Sequence, residues 1–374
     1  MIYLDNGATS LWKPKEVEEE ILDALSGNYG NPGRGMNGPS LKTLRKILTL
    51  RTEIQKTFGG ESSQKIILNP GITWSLNLVL PSLIQPGDHV LTTVLEHNSV
   101  LRPLYALEEK GVEISFLPMK PGPFLDENIL QKNTKYLVVT AASNVTGDPI
   151  DLLAFHDFAK EHNLIFIVDG AQALGTIPQE LENMDQVIYC FTGHKGLHGP
   201  TGTGGMIIKG EYDFSPVFSG GTGYQSFQKS QPLELPGLFE PGTLPFHSLF
   251  GLYGALKAWK KEENIFYHLQ ELRRIFIQEL EKIPGVTIYG QKKFGAPVIS
   301  CNIKDYPSSV IGDYLWHTYE IAIRSGSHCA PMTHKYLNTM DKGTLRFSFS
   351  VHNTKEELFQ VLEILEDISK RGIR

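Results

Sequence analysis

Short apolar, β-branched runs that alternate with amphipathic helical patterns restrict this chain to few folds. Candidate strands lie at 65–68, 89–94, 136–140, 164–168, 187–191 and 206–208, with helical patterns such as 100–110 and 151–162 between several of them. In the second of these helices Leu152, Leu153, Phe155, Phe158 and Ala159 form an apolar stripe, and Asp151 is placed to cap its start. Alternation of this kind reads as βαβ units in a mostly parallel sheet. Ligands of such open sheets bind outside the carboxyl ends of the strands.

The character changes after about residue 245. A long helical pattern at 248–282 has an expected break near 262–264, and strands follow at 286–289 and 298–303. A helix at 308–319, strands at 321–324 and 345–349 and a last helix at 354–371 complete a smaller α+β region. The first dozen residues are expected to be extended and to pack with it. The expected division is a large domain at 14–247 and a small domain formed by 1–13 and 248–374. With 35 Lys+Arg against 41 Asp+Glu the net charge is −6, and no basic run is present, so no nucleic-acid partner is expected. No stretch approaches about 18 consecutive apolar residues, so no membrane span is expected and the default address is the cytoplasm. The three cysteines, Cys190, Cys301 and Cys329, are too few and too scattered for a disulfide framework or a CxxC zinc site, and no metal is expected.

Several clusters sit where strands end. Val168-Asp169-Gly170-Ala171-Gln172 closes one apolar run with a carboxylate, which reads either as a helix cap or as a partner for a protonated ring nitrogen. Thr192-Gly193-His194-Lys195 closes another, and a lysine anchored there either is solvated or can form a Schiff base with an aldehyde cofactor. Gly71-Ile72-Thr73 opens a helix running to about residue 83, and helix-start amides with a threonine hydroxyl suit an anion. Glu96-His97-Asn98 offers an imidazole either to the core or to a planar ring. Arg324-Ser325-Gly326-Ser327-His328-Cys329 places a thiol behind Arg and His, neighbours that favour the thiolate. Arg346 interrupts an apolar alternation and needs a carboxylate partner, from the protein or from a substrate.

In their order, these clusters resemble the class V aminotransferase branch of the fold-type I pyridoxal phosphate enzymes, and more narrowly the cysteine desulfurase and selenocysteine lyase group. The resemblance begins at Tyr3-Leu4-Asp5-Asn6-Gly7-Ala8-Thr9 and passes through Asn31-Pro32-Gly33-Arg34-Gly35, Ser143-Asn144-Val145-Thr146-Gly147 and Phe239-Glu240-Pro241-Gly242-Thr243. It implies an α/β fold, with a mostly parallel seven-stranded sheet in the large domain and a smaller C-terminal α+β domain. It implies pyridoxal 5'-phosphate as cofactor, with Lys195 as the Schiff-base lysine, Asp169 at the pyridine nitrogen, His97 stacked on the ring, Ala171 on the opposite face and Gln172 at the phenolic oxygen. Thr73 with Ile72, Thr192 and His194 would hold the phosphate. Thr243 would reach the site of a second copy, which implies a homodimer. Asn144, Arg346 and Arg324 would meet the substrate carboxylate. Cys329 would accept sulfur from L-cysteine as a persulfide, or selenium from L-selenocysteine, and pass it to a possible acceptor protein. The loop is short and carries Ser327 where the group usually has His, and a sheltered persulfide is expected. The alternatives are a class V aminotransferase or another C–S lyase in which Cys329 is incidental, and a chain that binds the cofactor without turnover.

Overall fold

The computed structural model describes residues 1–33, 37–119 and 124–373, so Arg34 and Gly35 of the resemblance lie outside the described residues. In chain order the strand β1 (Ile2–Tyr3) leads to helices α1 (Lys15–Ser26) and α2 (Gly38–Phe58). Then follow β2 (Ile66–Asn69), α3 (Ile72–Leu83), β3 (His89–Thr92), α4 (Asn98–Glu108), β4 (Glu113–Phe116), β5 (Thr134–Thr140), α5 (Leu152–Glu161), β6 (Ile165–Asp169), β7 (Val187–Thr192) and β8 (Gly204–Lys209). The remainder comprises α6 (Phe246–Lys261), α7 (Ile265–Leu280), β9 (Val286–Tyr289), β10 (Val298–Ile303), α8 (Ser308–Tyr319), β11 (Ile321–Ala322), β12 (Arg324–Gly326), α9 (Pro331–Leu337), β13 (Thr344–Ser348) and α10 (Lys355–Arg371).

Seven strands form the main sheet in the order β2-β8-β7-β6-β5-β3-β4. All neighbours are parallel except those of β8, which runs antiparallel to β2 and β7. The inner strands β5, β6 and β7 are buried almost throughout, as expected where helices cover both faces. Two cores lie on the two sides of this sheet's residues, one containing Leu137, Val139, Phe166 and Val168, the other Val138, Ile167, Ile188 and Cys190. The alternation along each strand therefore feeds both faces, as the two-residue repeat requires. The edge strand β4 was not expected from the sequence. Its Glu113-Ile114-Ser115-Phe116 is only partly buried, so it lacks the continuous apolar signature of the inner strands.

A second sheet, β12-β13-β10-β9, and the pair β1-β11 lie over a third core of Leu4, Phe276, Ile299, Phe347, Val361 and their neighbours. The single strand expected at 321–324 is two strands in different sheets, because β1 pairs with Ile321–Ala322 while β13 pairs with Arg324–Gly326. The N-terminal segment packs with the C-terminal region as expected. The long helical pattern breaks at Glu262–Asn264, where Asn264 takes a left-handed φ of 66°. Helix α6 contributes Leu249, Phe250, Leu252 and Leu256 to the first core, so the segment 248–374 reaches that core as well as the third.

Helix α10 starts with a reciprocal capping box. Thr354 Oγ1 accepts from Glu357 N, and Glu357 Oε2 accepts from Thr354 N. Thr354→Ala is expected to lower the unfolding free energy by about 1 kcal/mol, read as an earlier urea midpoint with an unchanged slope.

Candidate active site

Neighbouring strand ends bring the key residues together. Asp169 ends β6 and pairs in register with Thr140 of β5 and Cys190 of β7, while Lys195 follows the end of β7. Asp169 is 2% exposed. Its Oδ1 accepts from Ala171 N at 2.9 Å and its Oδ2 from Ser99 Oγ at 3.3 Å. Burial raises its pKa, against the pull of these donors and of Lys195. Burial likewise lowers Lys195 to about 8; Asp169 opposes that shift, while Arg346 and Arg324 add to it. Each group thus destabilises its own charge by being buried and restores part of it in the other. A lysine near 8 holds a sizeable fraction of free amine close to neutral pH.

His97 caps α4, its Nδ1 accepting from Ser99 N at 3.0 Å, which leaves the ring proton on Nε2. Burial, with the positive charge of Lys195, Arg324 and Arg346, lowers its pKa to about 4, so the ring is neutral. Ser99 links this imidazole to Asp169 and carried no signal in the sequence beyond its place at a helix start. Glu96 is a second buried carboxyl. Its Oε1 accepts from Thr93 Oγ1 at 2.6 Å and Thr140 N at 2.9 Å, and its Oε2 has no partner among the described residues. Burial pushes it to about 8, with Asp169 adding to the rise. Glu96 is therefore a neutral acid beside an ionisable one.

An anion cradle lies at the start of α3. Gly71 has φ 135°, and a Cβ there would come within 3.1 Å of Thr192 Oγ1. The amides of Ile72, Thr73 and Trp74 have no protein acceptor among the described residues, as the first helical turn leaves them. Thr73 is exposed, Ile72 half-buried and Thr192 buried. His194 Nδ1 is buried without a partner, and burial lowers this histidine to about 4. Its carbonyl is held by Ser10 N at 2.9 Å. Gln172 donates through Nε2 to Gly7 O at 3.0 Å, and Ala171 is buried beside it. Thr243 lies on the surface, with Asn31 Nδ2 donating to its Oγ1 at 3.3 Å, and among the described residues no contact joins it to the Lys195 group.

At the other end Arg346, 2% exposed, donates from Nη2 to Asp5 Oδ1 at 2.8 Å and from Nη1 to Asn144 O at 3.2 Å. Asn144 Nδ2 donates to His328 O at 2.8 Å, and Asn98 N donates to Cys329 O at 2.7 Å. Thr333 Oγ1 adds a bond to Val94 O at 2.9 Å. The thiol loop is thus tied to the turn that carries His97. His328 and Cys329 both have left-handed backbone, φ 48° and 55°, and Cys329 is exposed. One expectation is corrected here. His328 turns inward, its Nε2 lying 2.9 Å from Thr344 Oγ1, and burial lowers it to about 2, so it supplies no positive charge to the thiol. Cys329 is exposed in the single chain.

The chain belongs to the class V aminotransferase family, whose profile matches residues 2–361. It has the architecture of the fold-type I pyridoxal phosphate enzymes. It is 29% identical to a cysteine desulfurase of Escherichia coli O7:K1, with 99% of this chain and 94% of that protein covered. The apo structure of a cysteine desulfurase from Thermococcus onnurineus NA1 superposes with a TM-score of 0.88 at 29% identity, covering 99% of this chain and 94% of that one. The Escherichia coli cysteine desulfurase CsdA gives a TM-score of 0.85 at 27% identity, covering 100% and 95%.

The residues fit the cofactor of this family. Asp169 is a buried carboxylate that feels the charge of Lys195 but makes no direct ion pair among the described residues, an environment a protonated ring nitrogen would complete. The free amides of α3 and the unpartnered His194 Nδ1 suit a phosphate.

Glu96 gives a measurable signature. A carboxyl whose folded pKa is raised stabilises the fold fully below its unfolded value and loses that contribution as pH rises through about 8. Glu96→Gln keeps the shape of the neutral acid, so its stability relative to the parent chain is expected to climb between pH 5 and pH 8 and then level off. The gain is on the order of 4 kcal/mol. Urea unfolding of the apoprotein at each pH reads it, and a difference that stays flat would show Glu96 ionised in the fold.

Proposed function

We propose that this protein is a cysteine desulfurase, converting L-cysteine to L-alanine and leaving a persulfide on Cys329. The observation that carries this reading is the Asn98 N to Cys329 O hydrogen bond, which fixes the thiol loop against the turn holding His97, beside Asp169 and Lys195. Bound pyridoxal 5'-phosphate supplies an electron sink for the carbanion formed at the substrate Cα. Asp169 would hold the ring nitrogen, His97 and Ala171 its two faces, and Gln172 its phenolic oxygen. The amides of Ile72 and Thr73, with Thr192 and His194, would hold the phosphate.

Lys195 Nζ, poised near 8, removes the proton from the substrate Cα and returns a proton as the product forms. Arg346, Arg324 and Asn144 orient the substrate carboxylate, the arginine forks suiting its geometry. Cys329 Sγ, as thiolate, attacks the substrate sulfur. The new S–S bond forms as the C–S bond breaks, the electron pair stays with carbon, and protonation of that carbon gives alanine. The exposure of Cys329 supports hand-off of the sulfur to an acceptor protein. We take 14–247 as the part that holds the cofactor and 1–13 with 248–374 as its smaller partner.

A homodimer completes the site in this reading. Trp74, on the first turn of α3, is exposed and meets the exposed Phe218 edge-on at 6.0 Å. Phe227 and Leu233 are exposed on the same segment that leads to Thr243. A patch of this kind beside the phosphate cradle favours a second copy as its cover. Light scattering is expected to give twice the 41.8 kDa chain mass, and Thr243→Ala is expected to weaken cofactor retention during dialysis.

The deciding assay incubates the cofactor-loaded protein with L-cysteine and a thiol reductant and measures alanine and sulfide. Lys195→Ala and Cys329→Ala are each expected to lose at least about 100-fold in alanine formation. Alanine formation unchanged in Cys329→Ala would overturn the persulfide step. Pyruvate-dependent amino transfer without sulfide would favour the aminotransferase reading, and L-selenocysteine in the same assay reads the preference between sulfur and selenium.

A further inference from the structure

Asn144 joins two parts of the pocket through one side chain. It sits on the turn that follows β5 and is buried. Its Nδ2 donates to His328 O at 2.8 Å, one residue before the thiol, and its own carbonyl accepts from Arg346 Nη1 at 3.2 Å. A carbonyl only accepts, so the amide nitrogen must face His328 O. That nitrogen carries a second N–H, and His328 O is its one acceptor among the described residues. The three residues joined by these bonds also carry buried polar atoms with no partner among the described residues: Asn144 Oδ1, Arg346 Nε and His328 Nδ1. Buried polar groups are as a rule paired, so such a gathering marks a place for a ligand. Arg346 Nε is a donor, which a carboxylate satisfies.

The turn that carries Asn144 is firmly set. Ser300 of β10 stands beside Arg346 of β13, and Arg346 stands opposite Arg324 of β12, so one row crosses the small sheet. Ser300 Oγ donates to Val145 O at 2.5 Å, and Ala296 N donates to Gly147 O at 2.8 Å. Gly147 has φ 74°, and a Cβ there would strike Val298 O. Ser143 Oγ accepts from Val145 N and Thr146 N, each at 3.2 Å. The backbone of Asn144 is thus a fixed platform for its side chain.

The thiol loop is held in a costlier way. His328 and Cys329 are both left-handed, a conformation that residues with a Cβ adopt against steric resistance. The carbonyls of this pair are held from the segments that follow β3 and β5. Cys329 O accepts from the backbone of Asn98, and His328 O from the side chain of Asn144.

We propose that Asn144 is a positioning residue for Cys329: its amide spans the substrate carboxylate and the carbonyl before the thiol, and so sets the substrate sulfur and Cys329 Sγ against a common support. This rests on the reading above that Asn144 and Arg346 meet the carboxylate and that Cys329 takes the sulfur. Removal of the Cα proton needs Lys195 but not the thiol loop. The two halves of the reaction therefore come apart at Asn144. Without its side chain the proton still leaves, while sulfur transfer loses its alignment.

The test compares two rates at saturating amino acid in the cofactor-loaded protein. One is exchange of the Cα proton of L-alanine for solvent deuterium, followed by NMR, which needs Lys195 and not Cys329. The other is alanine formation from L-cysteine with a thiol reductant. Asn144→Ala is expected to change the exchange rate by less than about threefold while alanine formation falls about 10- to 100-fold. A role in carboxylate binding alone would raise the amino acid concentration needed in both assays and leave both saturated rates intact, which overturns the proposal. A fall of both rates together overturns it as well, since the role would then be structural. Alanine formation unchanged in Cys329→Ala overturns the persulfide reading, whereas alanine formation unchanged in Asn144→Ala and lost in Cys329→Ala overturns the positioning role alone. No exchange in the parent protein overturns the lysine and carboxylate assignments and this proposal with them. If Asn144→Ala does not fold, Asn144→Ser, one atom too short to reach His328 O, carries the same expectation and the same overturning results.

Discussion

A carboxylate and an ammonium withdrawn from water at adjacent strand ends organise this molecule. Asp169 and Lys195 are both buried at the carboxyl edge of the main sheet, where each lowers the cost of the other's charge. The elements around them hold that arrangement in place. Ser99 joins Asp169 to the cap of α4, the parallel register of β5, β6 and β7 sets the spacing of the strand ends, and Glu96 stays neutral rather than adding a second anion. The neutral imidazole of His97 follows from the same shortage of water.

Charge is distributed along the pocket in a definite order. At one end lie free helix amides and hydroxyls without formal charge, suited to a phosphate. In the middle the Asp169 and Lys195 charges offset each other. At the far end two arginines and one aspartate leave a surplus of one positive charge. The exposed thiol sits on a loop whose carbonyls accept from Asn98 N and Asn144 Nδ2 and whose His328 ring bonds to Thr344.

Much of this was legible in the sequence, and the gaps have physical causes. The inner strands announced themselves because burial on both faces demands continuous apolar runs, and helix 308–319 and the break at 262–264 followed from periodicity. Edge strand β4 did not, since its partly solvated face dilutes the pattern. The split between β11 and β12 is set by partners far away in the chain, which no local window contains. At the site, Asp169, Lys195 and His97 were legible as residue types at strand ends. The orientation of His328 was not, because neighbouring positions in a loop say nothing of which way a ring turns once the backbone is left-handed. Ser99 and Asp5 acquire meaning only through contacts across 70 and 341 positions of chain.

The pairing of β1 with β11, and of Asp5 with Arg346, also bears on the order in which the molecule can be built. Residues 2–5 are made well before the strand and the arginine that receive them, at 321–322 and 346. Until residues 321–346 have been made, β1 has no edge to join and the opposed arginines Arg324 and Arg346 are not both present. The ion pair between Asp5 and Arg346 thus forms only after β13 is made, well after the strand ends and the lysine that it neighbours.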